Sequence, residues 1–402
     1  MRRLLLVLSL ALVALIALAG YLDRAAVPSE VATGTDVAAA MSATADPGYA
    51  RAEAPRAFEF PRDHGPHPEF RTEWWYLTGN LETATGRAFG YQLTFFRTAL
   101  VPPDRRTSRA SPWASDQLYM AHFALTDVAG DRHYAFERHS RGALGLAGAE
   151  AAPFHVWLDD WSLEGGDGPE PWPVTLSARA QDDEATDEIA LQLVLEDAVL
   201  EDAGGRVLQG DQGYSRKGPE PGNASYYYSY PHLAARGTVE IAGETLAVAG
   251  GGWLDREWST SALGTGLEGW DWFSLDLSDG RALMLFRLRR EDGTRDPYDS
   301  GTWVTGPGES RRLAGDDFEI EVTDRWRSPD GAAEYPSGWR LRLPAEDLVL
   351  EVEPRVRDQE LRLSVRYWEG AVEVRGTSHG TPVSGLGYVE LTGYATGASI
   401  PR

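Results

Sequence analysis

The 402-residue chain has no cysteine, one lysine and an apolar pattern without a helical stripe longer than two turns. The missing cysteine excludes a disulfide scaffold, a thiolate-ligated zinc or iron–sulfur site, a thiol nucleophile and a lipid-modified cysteine anchor. Positive charge is scarce as well. With 38 basic against 61 acidic side chains and a formal net charge of −23, the chain lacks the basic footprint that binding a nucleic-acid backbone requires. Lys217 stands alone among arginines, which reflects base composition of the gene and carries no functional conclusion. There is no Gly-x-Ser-x-Gly elbow, no Walker-type loop and no dinucleotide fingerprint after a strand. What the chain does have is 42% hydrophobic residues, enough for about two globular domains, and 14 tryptophans, 16 tyrosines and 12 phenylalanines.

Met1-Arg2-Arg3 precedes an apolar run from Leu4 to Ala19, and Ala17-Leu18-Ala19 offers a small-x-small cleavage site before Gly20. Residues 1–19 therefore predict an export signal, leaving a periplasmic or secreted protein, or a membrane-anchored one if the signal is uncleaved. Residues 20–55 carry too few large apolar side chains to offset the cost of ordering them and predict a disordered tether.

Beyond Phe58 the dominant period is two. In Thr72 to Glu82, Trp75, Leu77, Gly79 and Leu81 fall on one face and Trp74, Tyr76, Thr78 and Asn80 on the other. Phe89, Tyr91, Leu93 and Phe95 alternate beyond a turn, so the pair reads as a hairpin. Similar runs follow at Gln117–Asp127, Glu188–Glu196, Trp270–Leu277, Arg281–Leu288, Trp339–Leu343, Leu348–Val352, Leu361–Trp368 and Gly387–Thr392, separated by turns such as Ser278-Asp279-Gly280. The class is all-β, and strands apolar on both faces suit barrels or sandwiches. The stretch from Glu73-Trp74-Trp75-Tyr76 resembles that from Trp270-Asp271-Trp272-Phe273. This weak repeat fits a duplicated barrel with domains at 56–235 and 236–402.

Chemistry concentrates in four places. Asp63 to Tyr76 holds His64, His67 and three carboxylates, but Pro66 and Pro68 deny the histidines helical spacing, so a capped loop is favoured over a metal site and no metal is expected. Gly250 to Trp258 sets Asp255, Arg256 and Glu257 between Trp253 and Trp258. Asp271 shares a strand face with Phe273, Leu275 and Leu277, where burial would raise its pKa and suit it to act as a general acid, unless an arginine such as Arg256 or Arg287 neutralises it. The run Tyr226-Tyr227-Tyr228, with Lys217, offers hydroxyls and an ammonium to a pocket mouth or simply fills a strand.

At these same segments, and over residues 56 to 396, the sequence resembles the secreted AttH-like proteins, grouped with carotenoid 1,2-hydratase (hydroxyneurosporene synthase) and often labelled secreted hydrolases. The resemblance rests on His64-Gly-Pro-His-Pro-x-Phe-Arg-Thr-Glu-Trp-Trp-Tyr, Gly213-Tyr-Ser-x-Lys-Gly, Ser225-Tyr-Tyr-Tyr-Ser, Trp253-x-Asp-x-Glu-Trp, Gly269-Trp-Asp-Trp-Phe, and Tyr367-Trp-Glu-Gly with Gly387-Tyr-Val-Glu-Leu. It implies two lipocalin-like antiparallel β-barrels packed together, with a hydrophobic ligand site in or between them. In the hydratase branch it implies cofactor-free addition of water to a terminal double bond, with Asp271, Asp255 and Glu257 as candidate acids. Trp74, Tyr76, Tyr228, Trp253, Trp258, Trp270 and Trp272 are the candidate cavity wall. Where hydratase-like members carry His after the Asp, this chain has Arg256, which does not titrate. The expected function is binding of a hydrophobic small molecule or lipid, with a hydro-lyase as the alternative and an exporter-linked envelope scaffold as the third.

Overall fold

A computed structural model of the chain describes residues 47–395 apart from 183–187, 200–204, 261–262, 265 and 307. The expected signal and most of the expected tether lie outside the described residues. The tether's last part does not behave as one: Ala52 is fully buried, and Tyr49 Oη donates to the Ala99 carbonyl at 2.7 Å. A buried alanine and an aromatic anchor hold this segment against the first sheet.

That sheet comprises β1 (Thr72–Thr83), β2 (Ala88–Ala99), β3 (Gln117–Asp127), β4 (Arg132–Arg141), β5 (Ala147–Ala151), β6 (Phe154–Leu158), β7 (Trp161–Glu164), β8 (Val174–Gln181), β9 (Glu188–Asp197), β10 (Val207–Leu208), β11 (Tyr214–Arg216), β12 (Ala224–Ile241) and β13 (Glu244–Ser259). The second comprises β14 (Leu267–Leu277), β15 (Ala282–Arg290), β16 (Ser300–Gly306), β17 (Glu309–Ala314), β18 (Glu319–Arg327), β19 (Glu334–Leu343), β20 (Leu348–Pro354), β21 (Glu360–Arg362), β22 (Arg366–Ser378) and β23 (Thr381–Leu391). All ladders between these strands are antiparallel, and each sheet curls into a nearly closed barrel around its own apolar core.

The order β3-β2-β1-β13-β12 in the first sheet matches β16-β15-β14-β23-β22 in the second. The two similar tryptophan segments thus sit on equivalent central strands, β1 and β14. The change of sheet falls between Ser259 and Leu267, not at 235/236. The expected boundary lies inside β12, because Ala242 and Gly243 close a hairpin that keeps β13 paired to β12 rather than opening a linker. Leu361–Trp368 is likewise not one strand but the turn of the β21–β22 hairpin.

The barrels pack through their outer faces. Asn80 Nδ2 donates to the Gly387 carbonyl at 3.0 Å, Thr126 Oγ1 to Gln359 Oε1 at 2.9 Å and Trp272 Nε1 to Tyr227 Oη at 3.1 Å. Gly90 permits the close approach of β2 to β22: a Cβ there would lie 2.5 Å from that of Ala371. Central strands are therefore covered on both faces, which explains their apolar residues in both phases of the alternation.

Candidate functional site

Alternation sends every second side chain of the central strands out of its barrel and toward the other. From the first sheet come Trp74 and Tyr76 of β1, Phe96 of β2, Tyr227 of β12 and Asp255 and Glu257 of β13, joined by Lys217 just after β11. From the second come Trp270 and Trp272 of β14, Phe286 and Leu288 of β15, Tyr367 and Glu369 of β22 and Glu390 of β23. Together they wall a pocket of about 80 Å³. A single water needs roughly 10–15 Å³ on that measure, so the space suits the end of a ligand rather than a whole long molecule.

The pocket holds four carboxyl groups and one ammonium. Lys217 Nζ stands 3.5 Å from Glu257 Oε1 and 3.8 Å from the centre of the Phe286 ring. Ser225 Oγ also donates to Glu257. Among the described residues, the other three acids have no cation partner. Asp255 accepts from Tyr227 Oη at 2.5 Å, Ser229 Oγ at 2.5 Å and Trp253 Nε1 at 2.7 Å. Burial outweighs those three donors, and with Glu257 nearby it pushes Asp255 up to about 7. Glu369 and Glu390 are direct cross-strand partners on β22 and β23, the arrangement in which like charges repel most. Burial drives both well up, helped at Glu390 by the neighbouring carboxyl, while Trp270 Nε1 donates to Glu390 at 3.0 Å. The hydroxyls of Tyr76 and Tyr367 lie against Glu369 and oppose its rise, yet neither completes a well-formed hydrogen bond to it. Near neutral pH, then, Glu369 and Glu390 are carboxylic acids rather than carboxylates and Asp255 is close to half-protonated, against aromatic walls. Such groups can donate a proton to an apolar ligand.

Of the residues singled out from the sequence, Trp74, Tyr76, Asp255, Glu257, Trp270 and Trp272 meet in this pocket. Trp253 stands behind it, bonded to Asp255 and edge-on to Trp272, and lines a second groove that includes Gly251 and Asp276. Asp271 does not reach the pocket. It lies on the opposite face of β14 from Trp270 and Trp272, inside the second barrel, ion-paired to Arg287 and accepting from Tyr394 Oη at 2.8 Å. The neutralising arginine is Arg287, one of the two the sequence offered; Arg256 pairs with Glu73 instead. Tyr228 and Trp258 also point inward, into the first barrel core. There Trp258 stacks on His67 at 3.8 Å, and Tyr228 Oη lies 2.7 Å from His64 Nδ1. That core leaves the wall role to their neighbours of opposite phase, Tyr227 and Glu257.

Arg256, on the inward phase of β13, belongs to a buried network with Glu73, Arg97, His67 and Asp63 that seals one end of the first barrel. His67 engages Asp63 through Nε2 and Glu73 through Nδ1, so both ring nitrogens are occupied by carboxylates. Burial alone would raise Glu73, but Arg97, Arg256 and His67 together hold it well below the usual carboxylate range. Glu369 and Glu390 went unrecognised as site residues. Their signal was nevertheless present: each is a lone acid between apolar neighbours in a strand, Trp368-Glu369-Gly370 and Val389-Glu390-Leu391.

Comparison with known proteins agrees with this architecture. The AttH-like family model matches residues 51–394. A crystal structure of an AttH protein from Nitrosomonas europaea is 37% identical, covers 88% of this chain and 100% of its own, and superposes with a TM-score of 0.71. Kievitone hydratase from Nectria haematococca shares the fold at 16% identity, with a TM-score of 0.57 over 87% of this chain and 96% of its own. No curated protein matches the chain.

Proposed function

The chain belongs to the AttH-like family, and from the pocket between its sheets we propose that it takes the end of an unsaturated apolar molecule and adds or removes water by carboxylic-acid catalysis. The observation that carries this is the group of acids Asp255, Glu369 and Glu390, without a cation partner among the described residues and set among Trp74, Tyr76, Trp270 and Trp272. In the hydration direction, Glu369 gives its proton to one alkene carbon. The π electrons form the new C–H bond and leave a carbocation facing the aromatic rings, whose quadrupoles favour it. Water bonds to the other, cationic carbon, and its surplus proton returns to the vacated carboxylate, so the net change is addition of one water. No cofactor enters these steps. That a protein of the same fold is named a hydratase fits this reading, but fold alone does not carry it.

A carrier of a hydrophobic small molecule or lipid would use the same walls and leave the acids silent. With the expected export signal, either activity would lie outside the cytoplasmic membrane. A ten-carbon isoprenoid alcohol with a terminal trisubstituted double bond, incubated with the protein in oxygen-18 water, separates the two. Labelled oxygen in the product, lost in Glu369→Gln while binding persists, supports the hydro-lyase. Binding without incorporation in the wild type leaves the carrier.

A further inference from the structure

Exposed leucines scattered singly are ordinary on a protein surface, but here they gather. Seven large hydrophobic residues are exposed among the described ones, and five of them, Leu100, Trp113, Leu118, Leu144 and Leu146, lie at one end of the first barrel. Trp113 is the most open, at 59%. Backbone pairing holds the group together: the Leu100 N–H donates to the Asp116 carbonyl at 2.8 Å, the Gly142 N–H donates to the Gln117 carbonyl at 3.1 Å, and Leu118 is the cross-strand partner of Arg141. Half-buried Trp157 joins them, its Nε1 donating to the Gly145 carbonyl at 2.9 Å.

The charge of this end opposes that of the chain. Residues 100–118 and 141–146 carry four arginines, Arg105, Arg106, Arg109 and Arg141, against two aspartates, Asp104 and Asp116, a local balance of +2 in a chain of −23. Arg106 donates to the Val101 and Pro68 carbonyls, and neither it nor Arg141 has a carboxylate partner among the described residues. The described chain also begins here. Arg105 donates to the Pro47 carbonyl and Tyr49 Oη to that of Ala99, so the 46 residues upstream, which include the apolar run Leu4 to Ala19, join the barrel beside this face. The pocket wall is close as well. Trp74, Phe96 and Met120 are cross-strand partners on β1, β2 and β3, and Thr72, Thr98 and Leu118 form the next row of the same outward face. Two residues of strand, roughly 7 Å, thus separate exposed Leu118 from the row that holds Trp74 and Phe96 of the pocket.

We propose that this end of the first barrel docks on the surface of a lipid bilayer that carries anionic headgroups. Trp113 and the leucines enter the boundary between headgroups and acyl chains, where an indole and apolar side chains both partition, and the arginines meet lipid phosphates. The same surface repels the acidic remainder of the molecule, which fixes the orientation with this end toward the lipid. The apolar run, where it is retained, keeps the chain near a membrane; the patch decides which end of the barrel faces it. Contact sets the pocket beside a store of apolar molecules, a consequence that rests on the pocket binding one, whereas the docking does not.

Because the chain has no cysteine, one introduced thiol carries one label. The full chain is labelled with a polarity-sensitive fluorophore at Ala110→Cys, near Trp113, or at Ala84→Cys, in the β1–β2 turn at the other end of the same strands, roughly 35 Å away. Both positions are exposed. Vesicles of phosphatidylcholine and phosphatidylglycerol, with a nitroxide on the acyl chains, should shift the label at 110 to the blue and quench about half of its emission or more, while leaving the label at 84 unchanged. Phosphatidylcholine alone should quench several-fold less. Adding Trp113→Ser with Leu144→Ser, both at exposed positions, should abolish the quenching at 110 without moving the denaturant midpoint. Quenching at neither position, equal quenching at both, an equal response to phosphatidylcholine alone, or quenching that survives the paired substitution overturns the docking. So does a shift at 110 that grows with protein concentration before vesicles are added, since a second copy then covers the face. None of these readings uses turnover, so an inactive wild type removes the acid chemistry and leaves the docking standing.

Discussion

Two acidic clusters in this molecule differ chiefly in their cations. At the sealed end of the first barrel, Glu73 and Asp63 meet Arg97, Arg256, Arg56 and His67. In the pocket between the barrels, Asp255, Glu369 and Glu390 meet tyrosines, a serine and tryptophans. Glu73, Asp63, Asp255 and Glu369 are almost fully buried, and Glu390 is half-buried. Desolvation opposes charge in both, so pairing decides the outcome: the first keeps its charges and holds a loop in place, whereas in the second Glu369 and Glu390 keep their protons and Asp255 is raised to about 7.

The largest effect is expected from breaking the paired cluster. Glu73→Gln leaves two buried guanidinium groups without their partner and should cost about 3–5 kcal/mol in denaturant unfolding at pH 7. Because the folded-state pKa of Glu73 is depressed, its contribution is complete above the unfolded-state value and disappears only as pH falls through the folded one. The pocket predicts the reverse slope. Glu369 is raised, so ionisation during unfolding weakens the native state as pH climbs from the ordinary carboxylate range to the raised value. Glu369→Gln should therefore match the wild type near pH 4 and exceed it by about 2 kcal/mol at pH 9. A variant that is less stable at high pH would show that the pocket acid is stabilised as an anion.

Asp271→Asn should be intermediate, costing about 1–2 kcal/mol, because Arg287 is 27% exposed and water can solvate it once unpaired. Turnover of the isoprenoid should be unchanged, and abolished turnover with intact stability would return Asp271 to the catalytic candidates. Smallest is Tyr228→Phe, which removes one hydroxyl next to His64 and should cost about 1 kcal/mol without altering ligand binding.

Much of this contrast was legible as parity along a strand. Trp74 and Tyr76 were separated from Trp75 and Leu77 by alternation alone, and the structure sends the two sets to the pocket and the core. The same count could have sorted two of the residues that fell elsewhere. Trp258 is five positions from Trp253, and Asp271 sits between Trp270 and Trp272, so neither shares a face with its tryptophan neighbours. Sequence could not show which outward face meets which. Glu369 and Glu390 lie more than 100 residues from Asp255, and only the docking of β22 and β23 against β1 and β13 brings them to one pocket. Nor could it tell the paired acid from the unpaired one, since Arg256 adjoins Asp255 and Glu257 in sequence yet reaches Glu73 on the opposite side of the strand.

Carbon NMR titration of the glutamate carboxyl groups, assigned through Glu73→Gln and Glu369→Gln, tests the central contrast most directly. The account predicts that at pH 7 Glu73 is ionised while Glu369 still carries its proton. If Glu369 titrates in the ordinary carboxylate range alongside exposed glutamates, the pocket holds no acid to donate, and the proposed chemistry is contradicted.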